Sequence, residues 1–275
     1  MTRAYDSVAE LSGRLAPHHL AAVDGVVARY AEDGAYVALL LVGSLAHGHG
    51  RPGSDVDVVL VATEEAFELR RSEGRLAFVI RDLAGWPGGY VDVKVTSRSM
   101  LERVAHHGSD PARYAFRDAV VLATRDPTIG ALVERAARFP SERRAERERR
   151  FLCQLLAWNW YLEQAEEHAN GYLTIVATHK LVLFACRVVL NANEALFPYH
   201  KWLLQETERV PRQPDGFADR IAELLARPSV GAARRLKDAV LAFAGEHEAN
   251  LDWPNQFVVD SELNWLEHEA PVDDL

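Results

Sequence analysis

The sequence lacks an uninterrupted apolar run of about 18 residues, the length that indicates a membrane-spanning helix. The nearest segment, residues 172–190, contains one histidine and two basic residues. The N-terminus also lacks a basic stretch followed by an apolar one, so we expect no secretory signal. Only two cysteines are present, Cys153 and Cys186, and both lie in apolar helical patterns. These absences predict a cytoplasmic protein with two buried thiols, no disulfide framework and no membrane partner.

The sequence also has no excess of basic over acidic residues. The chain has 40 acidic and 31 basic residues, a formal net charge of −9 at pH 7. Surfaces that bind nucleic acid are normally basic because they must neutralise phosphates, so nucleic acid is not an expected partner. The one arginine-rich segment, residues 143–150, also contains glutamates, and Glu146 and Arg150 have the i,i+4 spacing of a solvated helix face. The oligomeric state stays open.

The chain is long enough for two domains, since it has 275 residues of which 48% are apolar. Residues 1–127 alternate apolar strand-like runs with helical segments, which predicts an α/β (α+β) domain with a mixed sheet. Two helices are expected within 3–33, with Pro17 in the first turn of the second, and another at 64–73. The predicted strands are Ala35–Val42, Asp55–Ala62, Leu76–Arg81, Tyr90–Thr96 and Val120–Ala123.

The remainder of the chain, residues 128–275, has helical periodicity and is predicted to form an all-α bundle domain. Its segment 172–190 is apolar on nearly all sides, so we expect it to be the central buried helix. Other helices are expected at 141–168, after Pro198, and at 216–226, 230–248 and 260–269.

Two aspartates one residue apart, Asp55 and Asp57, begin the second apolar strand. Side chains at i and i+2 of a strand point to the same face, so these carboxylates are expected about 6–7 Å apart. They repel each other unless a cation joins them, and Mg²⁺ takes hard oxygen ligands of this kind together with substrate phosphates. The Gly43-Ser44 turn at the end of the preceding strand offers backbone N–H groups to a phosphate. The pattern predicts a metal and nucleotide site.

A third aspartate, Asp92, has the same apolar flanks in a later predicted strand. A neighbouring strand could bring Asp92 beside the first two carboxylates. Three carboxylates around a phosphate-binding turn are the components of a two-metal displacement at phosphorus. Lys94 shares the face of Asp92, and we expect it to pair with a carboxylate rather than contact a phosphate.

Residues 43–57, GSLAHGHGRPGSDVD, resemble the signature of the nucleotidyltransferase superfamily that includes DNA polymerase beta. That signature is Gly followed by Gly or Ser, a spacer (ten residues here, between Ser44 and Asp55), and an Asp-apolar-Asp or Asp-apolar-Glu sequence. Within the superfamily the similarity is greatest to antibiotic nucleotidyltransferase-like proteins of the aminoglycoside type. Many of those proteins have Arg where this chain has His47, which is near neutral at pH 7.

The resemblance implies a Mg²⁺-dependent transfer with ATP or another nucleoside triphosphate as co-substrate and two metal ions. Asp55 and Asp57 would hold the Mg²⁺ that bridges the triphosphate. Asp92 would hold the second metal or accept the proton of the attacking hydroxyl, and the sequence does not separate these roles. Ser44 and the Gly43 backbone would bind the terminal phosphates.

Other residues of the loop and of the helical domain are assigned to the nucleotide site with an alternative for each. His47 would contact phosphate in place of the usual arginine. Ser54 would contact the nucleotide or cap the turn, and His49 is either an exposed loop residue or a ligand contact. Lys180 would reach the triphosphate, the alternative being an ion pair with a neighbouring glutamate. Arg187 shares its face, and residues 199–202 form an ordinary helix start or line a cleft.

These residues predict transfer of a nucleoside monophosphate, most simply AMP from ATP, to a hydroxyl of a small molecule such as an aminoglycoside-like antibiotic. A second possibility keeps the chemistry but makes a protein side chain the acceptor, as in antitoxins that modify a toxin. A third is a non-catalytic nucleotide-binding regulatory module. The large helical domain favours an enclosed small-molecule cleft, and the three carboxylates favour turnover.

Overall fold

The computed structural model describes residues 1–3, 11 and 15–267. The chain divides into two compact units, Met1–Arg138 and Phe139–Leu275. The first unit contains a mixed β-sheet with helices on both faces, and the second unit is helical. The predicted fold class, a mixed-sheet domain followed by a helical domain, is confirmed.

In the part of the first unit that the structure describes, the sheet has six strands. They are β1 (Thr2–Arg3), β2 (Tyr36–Val42), β3 (Val56–Ala62), β4 (Ala77–Ile80), β5 (Val91–Ser97) and β6 (Val120–Thr124). Their order across the sheet is β1-β6-β2-β3-β5-β4. Among the described residues β3 and β5 form the one parallel pair, and the other pairs are antiparallel. The five predicted strands are confirmed, and the short β1 is an addition.

Both faces of the central strands are covered. Every residue of β2 except Val37 and every residue of β3 except Asp57 is buried. On one side of the sheet, the core contains Leu39 and Leu60 together with the apolar face of the Pro17–Tyr30 helix. On the other side, Leu40 packs with buried residues of the Ile129–Ala136 helix. A strand buried on both faces reads as a continuous apolar run, which is why these two were easy to predict.

The helices of this unit agree with the sequence only in part. Their bounds are Pro17–Tyr30, Gly43–Ala46, Glu64–Ser72, Arg98–His107, Asp110–Tyr114 and Ile129–Ala136. The helices predicted at Pro17 and at 64–73 are confirmed, whereas the two helices between β5 and β6 were not predicted. The first of the two predicted N-terminal helices lies largely outside the described residues.

The division between the units differs from the predicted one. The sequence placed it after residue 127, whereas the structure places it between Arg138 and Phe139. The Ile129–Ala136 helix accounts for the difference, because its buried side chains belong to the core beneath the sheet. A helical periodicity alone does not show to which core a helix belongs.

The second unit is centred on two long helices that pack against each other, Arg144–Glu167 and Gly171–Ala192. A short 3₁₀ turn, His200–Trp202, and the Leu203–Arg209 helix follow Pro198. Both cysteines are buried free thiols in the two long helices, as predicted. Burial raises the pKa of Cys153 to about 11 and that of Cys186 to about 12.

The Gly171–Ala192 helix is long and apolar enough to cross a membrane by length and composition. Half of its most apolar window is buried inside the protein. Eleven of its residues are buried, and many of them belong to the core of the second unit. This agrees with the predicted central buried helix, since the core helix of a globular protein can have the same composition.

The later helices were predicted with less accurate ends. The segment 230–248 contains a helix, Val230–Ala244, that ends at Gly245, which has φ +71°. A left-handed glycine is a common helix terminator, and the sequence reading overlooked it. The helix expected at 260–269 in fact belongs to a helical stretch that begins at Trp253 and includes a π-turn at Val259–Leu263.

Candidate active site

The parallel pairing of β3 with β5 places two of the predicted site residues side by side. Asp57 and Asp92 occupy the same register position in the two strands. Neighbouring strands are about 4.8 Å apart, and paired residues of a parallel ladder point to the same face. Asp55 lies two residues before Asp57, immediately before β3, and all three aspartates act on the hydroxyl of Tyr90. The fold therefore brings the three aspartates to one edge of the sheet.

Tyr90, which lies immediately before β5, places its hydroxyl group next to these aspartates. The Val56 N–H donates to the Tyr90 carbonyl oxygen at 3.2 Å, so the starts of the two strands are joined. A hydrogen bond from the Tyr90 hydroxyl to Asp55 raises the pKa of that hydroxyl. The negative charges of Asp92 and Asp57 act in the same direction. Sequence reasoning used Tyr90 only as the start of a strand.

The Gly43 turn lies against one of these carboxylates. Val42 pairs with Asp57 across β2 and β3, and Gly43 follows with φ +70°. A Cβ atom at Gly43 would lie 2.0 Å from Oδ2 of Asp57. Ser44 is buried in the one-turn Gly43–Ala46 helix, which has no side-chain N-cap. The predicted phosphate-binding turn and the carboxylates are therefore in contact.

Each carboxylate also has a neighbour of its own. Lys94 Nζ lies 3.6 Å from Asp92 Oδ2, the pairing that the sequence favoured for this lysine. Asp57 contacts Gly43, and Asp55 accepts the Tyr90 hydrogen bond. In the part of the chain that the structure describes, no group of three or more His, Cys, Asp or Glu side chains is gathered closely enough to hold a metal ion. The donor type, hard carboxylate oxygen, nevertheless suits Mg²⁺.

His47 faces a carboxylate rather than solvent. Its side chain is 4% exposed, and its Nδ1 lies 3.5 Å from Asp118 Oδ2, an ion-pair distance that is too long for a good hydrogen bond. The Tyr114 ring packs on it at 4.7 Å. The neighbouring His47 is the main cause that lowers the pKa of Asp118. Nucleotide contact by His47 stays a prediction.

The exposed-loop interpretation of His49 is wrong, because His49 is buried.

The loop between Pro52 and Ser54 is fixed by two histidines that sequence reasoning missed. His18 Nε2 lies 2.8 Å from the Pro52 carbonyl oxygen, and His19 Nε2 lies 3.0 Å from that of Ser54. A carbonyl only accepts, so each Nε2 carries the proton. The Trp86 ring contacts both imidazoles, at 5.0 and 5.1 Å. The histidines therefore hold the segment that leads directly into Asp55.

Ser54 itself shapes this loop. Its Oγ accepts from the Arg51 N–H at 3.0 Å, and its own N–H donates to the Arg51 carbonyl at 2.9 Å. This agrees with the turn-capping alternative, and nucleotide contact by Ser54 stays a prediction.

The two cations that the sequence singled out in the central helix of the second unit have aromatic neighbours. Lys180 Nζ lies 5.8 Å from the centre of the Trp158 ring. The Arg187 guanidinium lies 4.4 Å from the Phe151 ring and 4.5 Å from the Phe197 ring. Cation–π contacts of this kind stabilise half-buried cations. The glutamate partner considered for Lys180 is not found among the described residues, and its contact with a triphosphate stays a prediction.

No protein-family profile matches the chain, and no curated protein is similar to it. Among solved structures, the chain is similar to a nucleotidyltransferase-like protein from Exiguobacterium sibiricum 255-15, with 12% identity and a TM-score of 0.46. The similarity covers 82% of this chain and 72% of that one. Similarity at this level does not assign an activity.

Proposed function

We propose that this chain is a Mg²⁺-dependent nucleotidyltransferase. It would transfer a nucleoside monophosphate, AMP from ATP in the first instance, to a hydroxyl group of a small molecule and release pyrophosphate. The observation that carries the proposal is the register pairing of Asp57 with Asp92 beside the Gly43 turn. The resemblance of residues 43–57 to the nucleotidyltransferase signature supports the same chemistry.

Asp55, Asp57 and Asp92 are the residues that would hold Mg²⁺. When bound, the metal would neutralise phosphate charge and so favour attack at phosphorus. Without it, three carboxylates at one sheet edge repel an incoming triphosphate. Hard oxygen donors in this arrangement would share the ion with phosphate oxygens, the usual coordination of Mg²⁺ in nucleotide sites.

The remaining steps belong to residues of this chain. The Ser44 hydroxyl and the Gly43 backbone N–H would bind the terminal phosphates. A carboxylate oxygen of Asp92 would accept the proton of the acceptor hydroxyl as its oxygen bonds to the α-phosphorus. The bond between the α-phosphorus and the bridging oxygen breaks, and pyrophosphate leaves. Positioning and charge neutralisation carry such a reaction, so no protein nucleophile is required.

Two finer parts of the proposal, an aminoglycoside-like acceptor and a role in antibiotic resistance, have their basis in the sequence resemblance alone. A third, the cytoplasmic location, rests on the sequence features that predicted it. A protein acceptor is the alternative within the same chemistry, and the test of the function therefore includes protein acceptors.

The test measures pyrophosphate release by the full chain with Mg²⁺ and each nucleoside triphosphate in turn. The acceptors are aminoglycosides, lincosamides and candidate partner proteins. We expect release with one triphosphate and one acceptor class, its loss in EDTA, and its loss in Asp57→Asn. Asp24→Asn is the matched control, since Asp24 is an exposed aspartate on the Pro17–Tyr30 helix, and it should react like the wild type.

Two results would overturn the proposal. One is the absence of release with every acceptor, together with nucleotide binding that Asp57→Asn leaves unchanged. The other is release that persists in EDTA, because the carboxylates would then have no role in holding a metal.

A further inference from the structure

An exposed tyrosine in the second unit has a backbone conformation that is normally restricted to glycine. Tyr199 has φ 66° and ψ −178°, a region that side chains other than glycine rarely occupy. Its side chain is 59% exposed, so burial does not account for a tyrosine at this position. The preceding Phe197 and Pro198 are buried and fix the path of the chain. Strain of this kind occurs mainly at ligand-binding and catalytic sites.

Two histidines extend the surface around this tyrosine. The Tyr199 ring lies 4.5 Å from the His200 ring, which lies 5.2 Å from the ring of His179. The buried Phe197 contacts His200 edge-on at 5.7 Å. We call Tyr199, His200 and His179 the Tyr199 cluster. All three residues are exposed, so they present a phenol and two imidazoles to solvent.

The charge around the Tyr199 cluster is positive. Lys180 follows His179 in the sequence and Lys201 follows His200, and each lysine has an aromatic ring as its neighbour. Within residues 15–267, neither lysine and neither histidine forms an ion pair with a carboxylate. Partial desolvation of its ring lowers the pKa of His179, and the nearby His200 and Lys180 lower it further. An anion placed here would relieve that repulsion.

We propose that the Tyr199 cluster binds a small planar anion, an aromatic ring that carries a phosphate or a carboxylate group. The ring of the ligand would stack on the exposed phenol, which explains why an aromatic side chain is held at a strained position. The anionic group would face the imidazoles of His200 and His179, with the two lysines adding positive potential. The site includes none of the three aspartates. It shares Lys180 with the proposed function, in which that lysine has a separate predicted contact with a triphosphate.

The binding test uses AMP and benzoate as separate probes, which distinguish a phosphate from a carboxylate. Each is titrated into the full chain in EDTA, and the imidazole NMR signals of His179 and His200 are followed. We expect saturable shifts for at least one probe and a rise in the pKa of His179, because a bound anion stabilises the imidazolium form. Asp57→Asn should bind like the wild type, which separates this site from the carboxylates.

Substitutions at Tyr199 separate binding from stability. Tyr199→Gly removes both the ring and the strain, so we expect about a tenfold or larger loss of affinity together with a higher unfolding temperature. Tyr199→Phe keeps the ring and should retain binding. His200→Gln should lose affinity by about tenfold, because it removes an imidazole that faces the anion. Tyr172→Ala is the control, because Tyr172 is 78% exposed in the same unit, and it should leave binding unchanged.

Three results would contradict the proposed anion site. The proposal is wrong if neither probe perturbs His179 and His200, or if Tyr199→Gly binds like the wild type. Equal losses in His200→Gln and in Tyr172→Ala would also contradict it, since the effect would then be unspecific. Because His200 is exposed and unstrained, His200→Gln gives a decision even if Tyr199→Gly does not fold.

Discussion

The carboxylate of Asp57 lies directly against the Cα atom of Gly43. A Cβ atom at Gly43 would be 2.0 Å from Oδ2 of Asp57 and 2.7 Å from its Cβ. Rotation of the Asp57 side chain could move the oxygen but not the Cβ atom, so the second clash would remain. Gly43 also has φ +70°, where a side chain is strained. Glycine is therefore required here for two separate reasons, and one of them is the position of the carboxylate.

Gly43→Ala should consequently damage the site more than the fold. We expect a loss of about 1–3 kcal/mol in the free energy of unfolding from the left-handed backbone, and a loss of about 100-fold in transferase activity because Asp57 is displaced. Urea unfolding and pyrophosphate release measure the two effects. Gly53→Ala is the matched control, because a Cβ atom there meets no atom within 4 Å. Wild-type activity in Gly43→Ala would show that the contact with Asp57 is dispensable.

The pairing of Asp57 with Asp92 has a consequence for metal binding that can be measured without an acceptor. Two like charges on adjacent strand positions destabilise the folded protein by about 0.2–1 kcal/mol, and Mg²⁺ would remove this repulsion. We expect Mg²⁺ to raise the unfolding temperature of the wild type and to have little effect on Asp57→Asn. In EDTA, Asp57→Asn should be the more stable of the two proteins.

The same melting experiment includes its own controls. Asp24→Asn should respond to Mg²⁺ as the wild type does. If Asp57→Asn is stabilised by Mg²⁺ as much as the wild type, the ion binds elsewhere and the carboxylates are not its ligands.

The elements that carry the carboxylates could be predicted, because their signals are local. The run that ends at Val42 and the alternation around Asp92 are visible along the chain, and both strands are found. The register that pairs Asp57 with Asp92 is different, since the sequence showed only that two similar strands could be neighbours. Residues 63–90 separate them, and nothing local specifies that the strands are parallel and adjacent.

The contacts that surround the carboxylates could not be predicted for the same reason. His19 and Ser54 are 35 residues apart. His47 follows β2, whereas its neighbour Asp118 precedes β6, a strand that is distant in the sequence. Such contacts leave no pattern in the sequence, because a single histidine on a helix is as compatible with a core position as with a contact to a distant loop. The predicted boundary between the units differs from the observed one for a similar reason. Ile129–Ala136 has the periodicity of a bundle helix but packs on the sheet.

His19 should be a positioning residue for the loop that leads into Asp55. His19→Ala would leave the Ser54 carbonyl without its donor, at a cost of about 1–3 kcal/mol, and would loosen the start of β3. His19→Gln offers an N–H in place of Nε2 and should restore much of the stability. Urea unfolding and the effect of Mg²⁺ on the unfolding temperature measure the outcome for both variants.

His19 also predicts how the stability of the protein depends on pH. Burial lowers the pKa of His19 below its ordinary value of 6.5, so the unfolded chain binds a proton more readily than the folded one. Stability should therefore decrease as the pH falls below about 6.5, and His19→Gln should flatten that part of the profile. An unchanged profile in His19→Gln would assign the dependence to another group.

Asp118 should determine part of the acid stability of the first unit. The neighbouring His47 is the main cause that lowers the pKa of Asp118, and Arg117, whose Nε lies 3.1 Å from the Asp118 carboxylate, adds to this. A carboxyl group with a lowered folded pKa stabilises the protein above its ordinary value of 3.8, and this contribution is lost as the pH falls through the folded pKa. Asp118→Asn should therefore be less stable than the wild type near neutral pH, and the difference should disappear in acid.

Asparagine is the suitable replacement because Asp118 has φ +57°, a conformation that asparagine accepts without added strain. The measurement is urea unfolding between pH about 5 and about 2.5, the range in which a lowered aspartate titrates. His47→Gln should remove most of the same contribution, and the double variant should lose little more than either single one, because both changes break one interaction. Fully additive losses would show that His47 and Asp118 stabilise the unit separately and would contradict the pairing.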